Sequence, residues 1–392
     1  MKPVRPRQDE AGQVEMGKAE AGEAGAAETA ILTIDLGALA ANYRTLCALA
    51  AGAECAAVVK ADAYGLGMAE AAPALWAAGC KTFFVATLSE AEALRALLPE
   101  AIIYVLAGLA PDAAPAFQRH GLRPVLNSAE EIGEWAAYCA SVGAKLPCAV
   151  HIDSGMNRLG LSPAEVEQVA AAEDMWSALT LALVMSHLAC ADDPTHPKSE
   201  LQRALFDRLR ARLPDALASL ANSAGMLLGE AYHYDLVRPG IALYGGDPQR
   251  SGGGWFEPVI ELLGRILQVR DVAAGESVGY GAIRTLKRPS RVAIVAVGYA
   301  DGIFRSLSTR DDEEGLTVFI EGHSAPIIGR VSMDLITVDV TDVPPSAARR
   351  GAWVELIGEN ISAHDFARHA GTIDYEVLTN LGSRALRRYR NR

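Results

Sequence analysis

The residue with the clearest chemical potential is Lys60, which directly follows the apolar run from Ala56 to Val59. Four apolar residues before a turn at Gly65 predict a buried strand, so the lysine would lie at the strand end with its stem covered. Burial lowers the pKa of a lysine and favours the neutral amine, which can attack a carbonyl carbon. A surface lysine that lays its stem along apolar neighbours is the alternative interpretation.

Polar residues follow four other predicted strands in the same way. These residues are His187, Arg238, the pair Asn222 and Ser223, and Arg158. A lysine, two arginines, a histidine and hydroxyl or backbone donors suggest a site for an aldehyde cofactor that carries a phosphate. Ser223, Gly240 and Ile241 are the predicted phosphate donors, because hydroxyl and backbone N–H groups at such turns bind anions.

The elements that must position these residues alternate between strand and helix up to about residue 240. From residue 56 onward there are eight apolar runs, at 56–60, 82–86, 102–106, 124–126, 148–152, 181–186, 217–221 and 235–238. Eight strand–helix units predict an α/β fold, a (β/α)8 TIM-like barrel whose active site lies at the carboxyl ends of its strands. A doubly wound open sheet is the alternative that periodicity alone leaves open.

The pattern of apolar residues changes after Gly240. Short β-rich runs separated by turns predict a mostly antiparallel β C-terminal domain there. The chain is expected to end with a helix from about Thr379, whose arginine-rich tail would be a solvated helix end. Residues 1–28 are mostly Glu, Ala, Gly and Lys, which predicts a disordered extension. The expected domains are therefore 1–28 (extension), 29–257 (barrel) and 258–392 (β-rich domain).

Composition excludes several classes of partner. The net charge of −12 argues against binding to nucleic acid or to an anionic membrane, both of which attract clustered lysine and arginine. No apolar run approaches the roughly 18 residues of a membrane helix, and no signal-peptide core is present. The six cysteines show no CxxC spacing, which predicts reduced, buried side chains and no metal site. A cytoplasmic protein is expected.

Seven motifs occur in order along the chain: Val59–Gly65, Asp153–Gly160, Val237–Gly245, Val278–Gly281, Val297–Gly302, Gly329–Asp334 and Ile373–Leu378. In this order they closely resemble the motifs of the alanine racemases, pyridoxal-phosphate enzymes built from a (β/α)8 barrel and a β-rich C-terminal domain. The resemblance covers roughly residues 31–389. It implies interconversion of L-alanine and D-alanine by a homodimer with shared active sites.

The resemblance also implies individual roles. Lys60 would form the Schiff base with pyridoxal 5'-phosphate and act as one base, and Tyr280 of the partner subunit would act as the second. Two bases are needed because racemisation removes the α-proton from one face and returns a proton to the other. His187 would hydrogen-bond to Tyr280 and contact Arg238, which would face the pyridine nitrogen. Besides Lys60, His187 and Arg238, the residues that match the cofactor site are Tyr64, Arg158, Asn222, Ser223, Gly240, Ile241 and Tyr375. The residues that match the substrate site are Arg158, Tyr280, Met333 and Asp334.

Three alternative functions stay open beside alanine racemisation. A racemase of broader specificity would accept serine or other small amino acids, although Tyr375 favours a small side chain. A barrel-type amino-acid decarboxylase would normally carry a cysteine in its second domain, whereas this chain has none beyond Cys190. A non-enzymatic cofactor-binding barrel would lack the second domain.

One position departs from the family pattern. Seven residues before Arg158, many alanine racemases carry a lysine modified to a carbamate, and this chain has His151. An imidazole cannot form that stable carbamate, so we expect activity to depend little on bicarbonate. Whether Arg158 is held by a chloride ion, by a carboxylate or by His151 stays open at the level of sequence.

Overall fold

The computed structural model describes residues 27–249 and 254–391. The extension predicted for residues 1–28 therefore lies outside the described residues, apart from its last two positions. Among the described residues, no helix combines the length and apolar character needed to cross a bilayer. Within the same ranges, His, Cys, Asp and Glu side chains form no group of three or more that could hold a metal ion.

The first ten strands build the barrel and its connection to the second domain. They are β1 (Ala30–Asp35), β2 (Glu54–Cys55), β3 (Ala57–Val58), β4 (Thr82–Val85), β5 (Ile102–Val105), β6 (Arg123–Leu126), β7 (Pro147–His151), β8 (Thr180–Met185), β9 (Leu217–Ser219) and β10 (Leu236–Val237). Strands β3 to β9 form one parallel sheet in chain order. Each is short and largely buried, as expected for barrel strands covered on both faces.

The β10 segment closes the ring. On one side the Arg238 N–H donates to the Ala221 carbonyl at 2.9 Å, and on the other the Val58 N–H donates to the Pro239 carbonyl at 3.0 Å. Strand β10 also pairs in parallel with β2. The eight predicted barrel strands are thus all present, and the predicted barrel is confirmed.

Helices follow most of these strands. They are α1 (Leu36–Leu49), α2 (Lys60–Tyr64, a single left-handed turn), α3 (Met68–Ala77), α4 (Leu88–Leu97), α5 (Ala114–Arg119), α6 (Ala129–Val142), α7 (Pro163–Ala170), α8 (Glu173–Ala178), α9 (Lys198–Arg210) and α10 (Ser223–Met226). Side-chain caps fix several starts, as when Asp35 accepts from the Ala38 N–H at 3.0 Å at the start of α1. Helix α4 begins with a capping box between Thr87 and Glu90.

The second domain is a mostly antiparallel sheet with two helices. Its elements are β11 (Ile260–Val272), β12 (Ser277–Val278), β13 (Arg284–Thr285), β14 (Ser290–Val295), β15 (Thr317–Ile320), β16 (His323–Ile328), β17 (Ile336–Asp339), β18 (Trp353–Ile357), α11 (Ala363–Ala370), α12 (Asp374–Asn380) and β19 (Leu386–Arg390). Eight strands form its main sheet, in the order β14-β17-β16-β15-β18-β11-β1-β19. The predicted β-rich domain is confirmed.

The predicted C-terminal helix and solvated arginine-rich tail are wrong. Helix α12 ends at Asn380, and the tail is strand β19, which pairs in parallel with β1. The strand is stabilised by distant partners, since the Arg390 Nε donates to the Asp35 carboxylate at 3.0 Å and the Tyr389 hydroxyl donates to the Leu66 carbonyl at 3.0 Å. Arginine suits this position because β19 is an edge strand.

Strand β1 lies in the sheet of the second domain, although it precedes the barrel in sequence. It pairs antiparallel with β11, for example Leu32 opposite Leu262. The chain therefore leaves this sheet after β1, forms the barrel and returns to the sheet at β11. The domain boundaries given above stay a prediction. The cysteines are free, but Cys47 is exposed and Cys190 is only partly buried, so the expectation that all six are buried is wrong at these two positions.

Candidate active site

The carboxyl ends of the barrel strands open into a cavity of about 830 Å³. All ten residues that the sequence analysis assigned to the cofactor line it, together with His151. The ten are Lys60, Tyr64, Arg158, His187, Asn222, Ser223, Arg238, Gly240, Ile241 and Tyr375. The volume lies within the usual range of small-molecule sites. Its charged lining is dominated by Lys60, Arg158 and Arg238, with Glu376 at the exposed rim, so the cavity is suited to an anion.

A left-handed turn fixes the direction of the chain immediately after Lys60. Ala61, Asp62, Ala63 and Tyr64 all have φ between 53° and 57°. Each such L-residue costs roughly 1–2 kcal/mol relative to the right-handed conformation, so the turn persists only where the surroundings fix it. At Gly65 a Cβ would lie 2.7 Å from the Leu378 carbonyl oxygen, so the turn also packs against α12 where no side chain fits.

The Lys60 amine lies in a partly desolvated, cationic environment. Burial lowers its pKa, the positive charge of Arg158 lowers it further, and the Glu90 carboxylate opposes both effects. These effects favour the neutral amine, which is the form that attacks carbonyl carbons and accepts protons.

Arg238 is almost completely buried, with 4% of its surface exposed. Its guanidinium donates to the Ser186 carbonyl at 2.6 Å and to the Ser219 hydroxyl, which in turn donates to the Leu236 carbonyl at 2.5 Å. Burial lowers the pKa of Arg238 to about 9, so the group is still a cation at neutral pH. The side chain is therefore a rigid donor in the cavity wall.

The predicted contact between His187 and Arg238 is electrostatic in the structure. Between described residues there is no hydrogen bond from one side chain to the other. Burial first, and then the positive charges of Arg238 and Arg158, hold the pKa of His187 well below its ordinary value. The imidazole is therefore neutral at neutral pH and has one nitrogen able to accept a hydrogen bond.

The predicted phosphate site is a compact group of hydroxyls and backbone N–H groups. The buried Ser223 hydroxyl accepts from the N–H of Gly240 at 2.9 Å and from that of Ala242 at 3.3 Å. A Cβ on Gly240 would lie 2.1 Å from the Tyr64 hydroxyl oxygen, so only glycine allows this close approach. The ring centroid of Tyr64 is 6.1 Å from that of Tyr375. This donor-rich set fits a phosphate group.

The geometry fixes the tautomer of His151 at the end of β7. Its Nδ1 lies 2.9 Å from the Asn127 Oδ1, and the Asn127 Nδ2 donates to the Val125 carbonyl at 2.8 Å. The amide oxygen therefore faces the imidazole, and Nδ1 carries the proton. Burial, followed by the charge of Arg238, lowers the pKa of His151 to about 4. His151 is a neutral side chain whose Nε2 can accept a hydrogen bond.

The loop that carries Arg158 is held by Asp153. This carboxylate accepts from the N–H groups of Gly155 at 2.8 Å and Met156 at 2.9 Å. Between described residues, no salt bridge or hydrogen bond reaches the exposed Arg158 side chain. Of the three braces left open by the sequence, a salt bridge to a carboxylate and a hydrogen bond to His151 are therefore not formed between described residues. The expected independence from bicarbonate stays a prediction.

Acid should destabilise the protein through His151. Its pKa is about 4 in the folded protein and about 6.5 when unfolded. The unfolded state thus binds more protons between these values, and stability falls as pH drops through this window. We expect the free energy of unfolding to lose about 3 kcal/mol between pH 7 and pH 4 through this residue, and His187 acts in the same direction. Denaturant unfolding of the protein at fixed protein concentration measures the loss.

His151→Asn should show a shallower pH dependence than the parent protein in the same series. His323→Asn is the matched control, because His323 is exposed. Equal slopes for His151→Asn and the parent protein would contradict the assignment of a buried neutral imidazole.

Three predicted site residues lie elsewhere in a single chain. Tyr280 is 71% exposed and Met333 is 53% exposed, and neither lines the Lys60 cavity. Asp334 pairs with Arg384 at 2.7 Å, and Arg384 also forms two bonds of 2.8 Å with the buried Asp301. The predicted site is therefore divided between the barrel cavity and the surface of the second domain.

Some supporting residues were not anticipated from the sequence. Glu90 bonds to the Lys60 turn, Asn127 orients His151, and Ser219 holds Arg238. Only Glu90 had a usable signal, because Thr87 and Glu90 have the spacing of a capping box. The partners of Asn127 and Ser219 are set by the packing of neighbouring strands.

The structure joins a (β/α)8 barrel to an antiparallel β domain and places a partly desolvated lysine, two arginines and a set of hydroxyl and N–H donors at the strand ends. These features define a class of two-domain barrel enzymes. Two family models identify the member of this class. The model described as alanine racemase, N-terminal domain, matches residues 34–248, and the model described as alanine racemase, C-terminal domain, matches residues 259–389. The chain belongs to the alanine racemase family, a family of isomerases.

Individual relatives agree with this assignment. An alanine racemase from Methylobacterium nodulans is 53% identical over 91% of this chain and 95% of its own length. A catabolic alanine racemase from Mesorhizobium japonicum is 47% identical over 93% and 94%. The crystal structure of alanine racemase from Bartonella henselae, with covalently bound pyridoxal phosphate, has a TM-score of 0.88 and 42% identity, and the match covers 92% of this chain and 99% of that one.

Proposed function

We propose that this protein is a pyridoxal-phosphate-dependent alanine racemase that interconverts L-alanine and D-alanine. The observation that carries the proposal is the single cavity that joins Lys60, Arg238 and the Ser223 donor set in a chain of this family. The covalently bound pyridoxal phosphate of the Bartonella relative supports the choice of cofactor.

The residues of the cavity fit that cofactor. Lys60 would hold it covalently, and its lowered pKa favours the free amine that this requires. The phosphate would be held by the hydroxyls of Tyr64, Ser223 and Tyr375 and by the backbone N–H groups of Gly240 and Ile241, with Asn222 alongside. When bound, pyridoxal phosphate supplies a conjugated ring that delocalises negative charge from the α-carbon of the substrate.

Arg238 would face the ring nitrogen of the cofactor. Its guanidinium is a cation at neutral pH and can only donate hydrogen bonds, so the nitrogen that it faces stays unprotonated. An unprotonated ring withdraws electrons less strongly, which limits side reactions such as transamination. Prompt proton return by the second base then becomes more important.

Two proton-transfer groups would act on opposite faces of the α-carbon. Lys60 holds or releases a proton at Nζ, and the hydroxyl of Tyr280 of the partner subunit does so on the other face. The neutral His187 would accept a hydrogen bond from that phenol and help it lose its proton. The substrate carboxylate would be bound by Arg158 of the same chain as Lys60 and by the backbone N–H of the partner subunit's Met333. The partner subunit's Asp334 would orient the loop that carries this N–H.

The exposure of Tyr280 and Met333 supports a homodimer. In a dimer with two-fold symmetry, both side chains would be covered and would lie at the barrel cavity of the partner subunit. The symmetry makes the same contact at both sites. The site in one chain lacks its second base without such a partner.

Alanine is the proposed substrate because Tyr375 and the partner subunit's Tyr280 leave little room beyond a methyl group. Excluding one larger group in this way gives about 10- to 200-fold discrimination, so slow turnover of serine is expected. The product D-alanine would supply peptidoglycan synthesis in the cytoplasm, or the enzyme would serve alanine catabolism.

The proposed domain bounds are 29–257 for the barrel that binds the cofactor and 258–392 for the β-rich domain.

Incubation of the holoenzyme with L-alanine in heavy water tests the function. We expect the optical rotation to be lost and deuterium to be incorporated at the α-carbon. Polarimetry measures the first change and proton NMR the second. Release of carbon dioxide would identify a decarboxylase, and cofactor binding without turnover would identify a binding protein. Equal rates with L-serine would identify a racemase of broader specificity.

A further inference from the structure

The left-handed turn after Lys60 is held by a small number of identifiable contacts. The Asp62 carboxylate accepts from the Met68 N–H at 2.7 Å, and the Tyr389 hydroxyl donates to the Leu66 carbonyl at 3.0 Å. These contacts hold the far end of the turn. The end next to Lys60 is held by Glu90, whose Oε1 accepts from the Ala61 N–H at 2.7 Å.

The same carboxylate also binds the end of the neighbouring barrel strand. Its Oε2 accepts from the N–H of Ala86 at 2.7 Å and from that of Thr87 at 3.2 Å. One ionised side chain thus joins the chain directly after Lys60 to the chain directly after β4. Hydrogen bonds to an ionised acceptor are stronger than neutral ones, which suits a contact that must hold a strained turn.

Two other helices contain a glutamate at the equivalent capping position. Glu165 on α7 binds the N–H of its own cap, Ser162, at 2.9 Å. Glu131 on α6 binds the N–H of Asn127 at 2.9 Å and that of Leu109 at 3.3 Å. Between described residues, neither side chain bonds to the turn at 60–67. Glu90 therefore differs from both in its target, which is the strained backbone of the reactive lysine.

We propose that Glu90 is a positioning residue for Lys60, which fixes the left-handed turn through the Ala61 N–H and so aims the lysine side chain into the cavity. The inference rests on the proposed function, in which Lys60 holds the cofactor and moves a proton. Glu90 acts through the backbone, and its charge also opposes the depression of the Lys60 pKa by burial and by Arg158. No other residue of α4 bonds to this turn among the described residues.

The test compares Glu90→Ala and Glu90→Gln with Glu165→Ala and Glu131→Ala, all as holoenzymes. Hydrogen exchange followed by mass spectrometry reports the backbone of residues 60–68 without reference to activity. We expect exchange there to be at least about tenfold faster in Glu90→Ala, because the Ala61 N–H loses its acceptor. Glu165→Ala should lower Tm without this change, and Glu131→Ala should speed exchange near Leu109 instead.

Kinetics provide the second measurement. Misplacement of a reacting group by about 1 Å can cost on the order of 100-fold in rate, so we expect kcat of Glu90→Ala to fall about 10- to 100-fold with a smaller change in KM. Glu90→Gln should lie between Glu90→Ala and the parent protein, because its amide has one acceptor oxygen where the carboxylate has two. This variant keeps the size of the side chain, so it remains informative if the alanine variant does not fold.

The outcomes separate the inference from the proposed function. If residues 60–68 exchange equally fast in the Glu90 variants and the parent protein, or if faster exchange leaves kcat unchanged, the positioning role is overturned. If the parent holoenzyme does not racemise alanine, the proposed function fails, and hydrogen exchange alone still decides whether Glu90 holds the turn.

Discussion

Lys60→Ala is expected to abolish both racemisation and exchange of the α-proton of either enantiomer with solvent. Tyr280→Phe is expected to abolish racemisation but to leave exchange at the α-carbon of one enantiomer, the one whose α-proton faces Lys60. A positioned acid or base contributes about 10²- to 10⁴-fold, so each loss should be at least this large. Proton NMR in heavy water with each pure enantiomer distinguishes the two variants.

The exchange measurement is needed because racemisation rates cannot separate the two faces. L-alanine and D-alanine have equal free energies, so kcat/KM is the same in both directions for every variant. Tyr232→Phe is the control, since the Tyr232 hydroxyl donates to Glu200 on the outside of the barrel. If Tyr280→Phe stopped exchange of both enantiomers as completely as Lys60→Ala, the assignment of one group to each face would be wrong.

Mixing two inactive variants is expected to restore activity. When Lys60→Ala and Tyr280→Phe chains are refolded together, about half of the dimers should contain one chain of each kind. Each mixed dimer then has one site with both an intact Lys60 and an intact Tyr280 of the partner subunit. The mixture should therefore recover about a quarter of the parent activity, from two preparations that have essentially none.

A chain that carries both substitutions supplies the control for this experiment. Mixed with the parent chain, it forms dimers in which neither site is complete, so only parent dimers contribute activity. Native mass spectrometry counts the mixed dimers in each sample. If mixed dimers of the two single variants form but have no activity, Tyr280 does not complete the site of the partner subunit.

The barrel part of the site was predictable because it depends on local patterns. Lys60, His187 and Arg238 each follow an apolar run, and parallel strands bring such positions to one edge of a barrel. The order of strands required no long-range information, since each strand pairs with the next along the chain. Nine of the ten cofactor positions lie in the barrel part of the chain and line one cavity, whereas Tyr375 lies on α12 of the second domain and was assigned only from the family resemblance.

The left-handed turn after Lys60 was not predictable from its own residues. Ala61 and Ala63 favour right-handed helix, and the conformation is set by contacts with Glu90, Leu378 and Tyr389, which are distant in sequence. Strand β19 was missed for a similar reason. Its arginines suggest solvent, but Arg390 bonds to Asp35 across 355 positions of the sequence. Where the partner is remote, local propensity gave the wrong element.

The position of β1 has a consequence for how the chain folds during synthesis. The residues of β1 are fully buried, and the strand has two neighbours in its sheet. One is β11, which begins at Ile260, and the other is β19. Ribosomes add roughly 5–20 residues per second, so the 355 positions between Asp35 and Arg390 take on the order of 20–70 s to emerge. Until β11 has emerged, the barrel can form while β1 has no partner, and after that the other edge of β1 stays open until β19 is made. The nascent protein therefore has to keep β1 from pairing with other chains until its own C-terminal residues have left the ribosome.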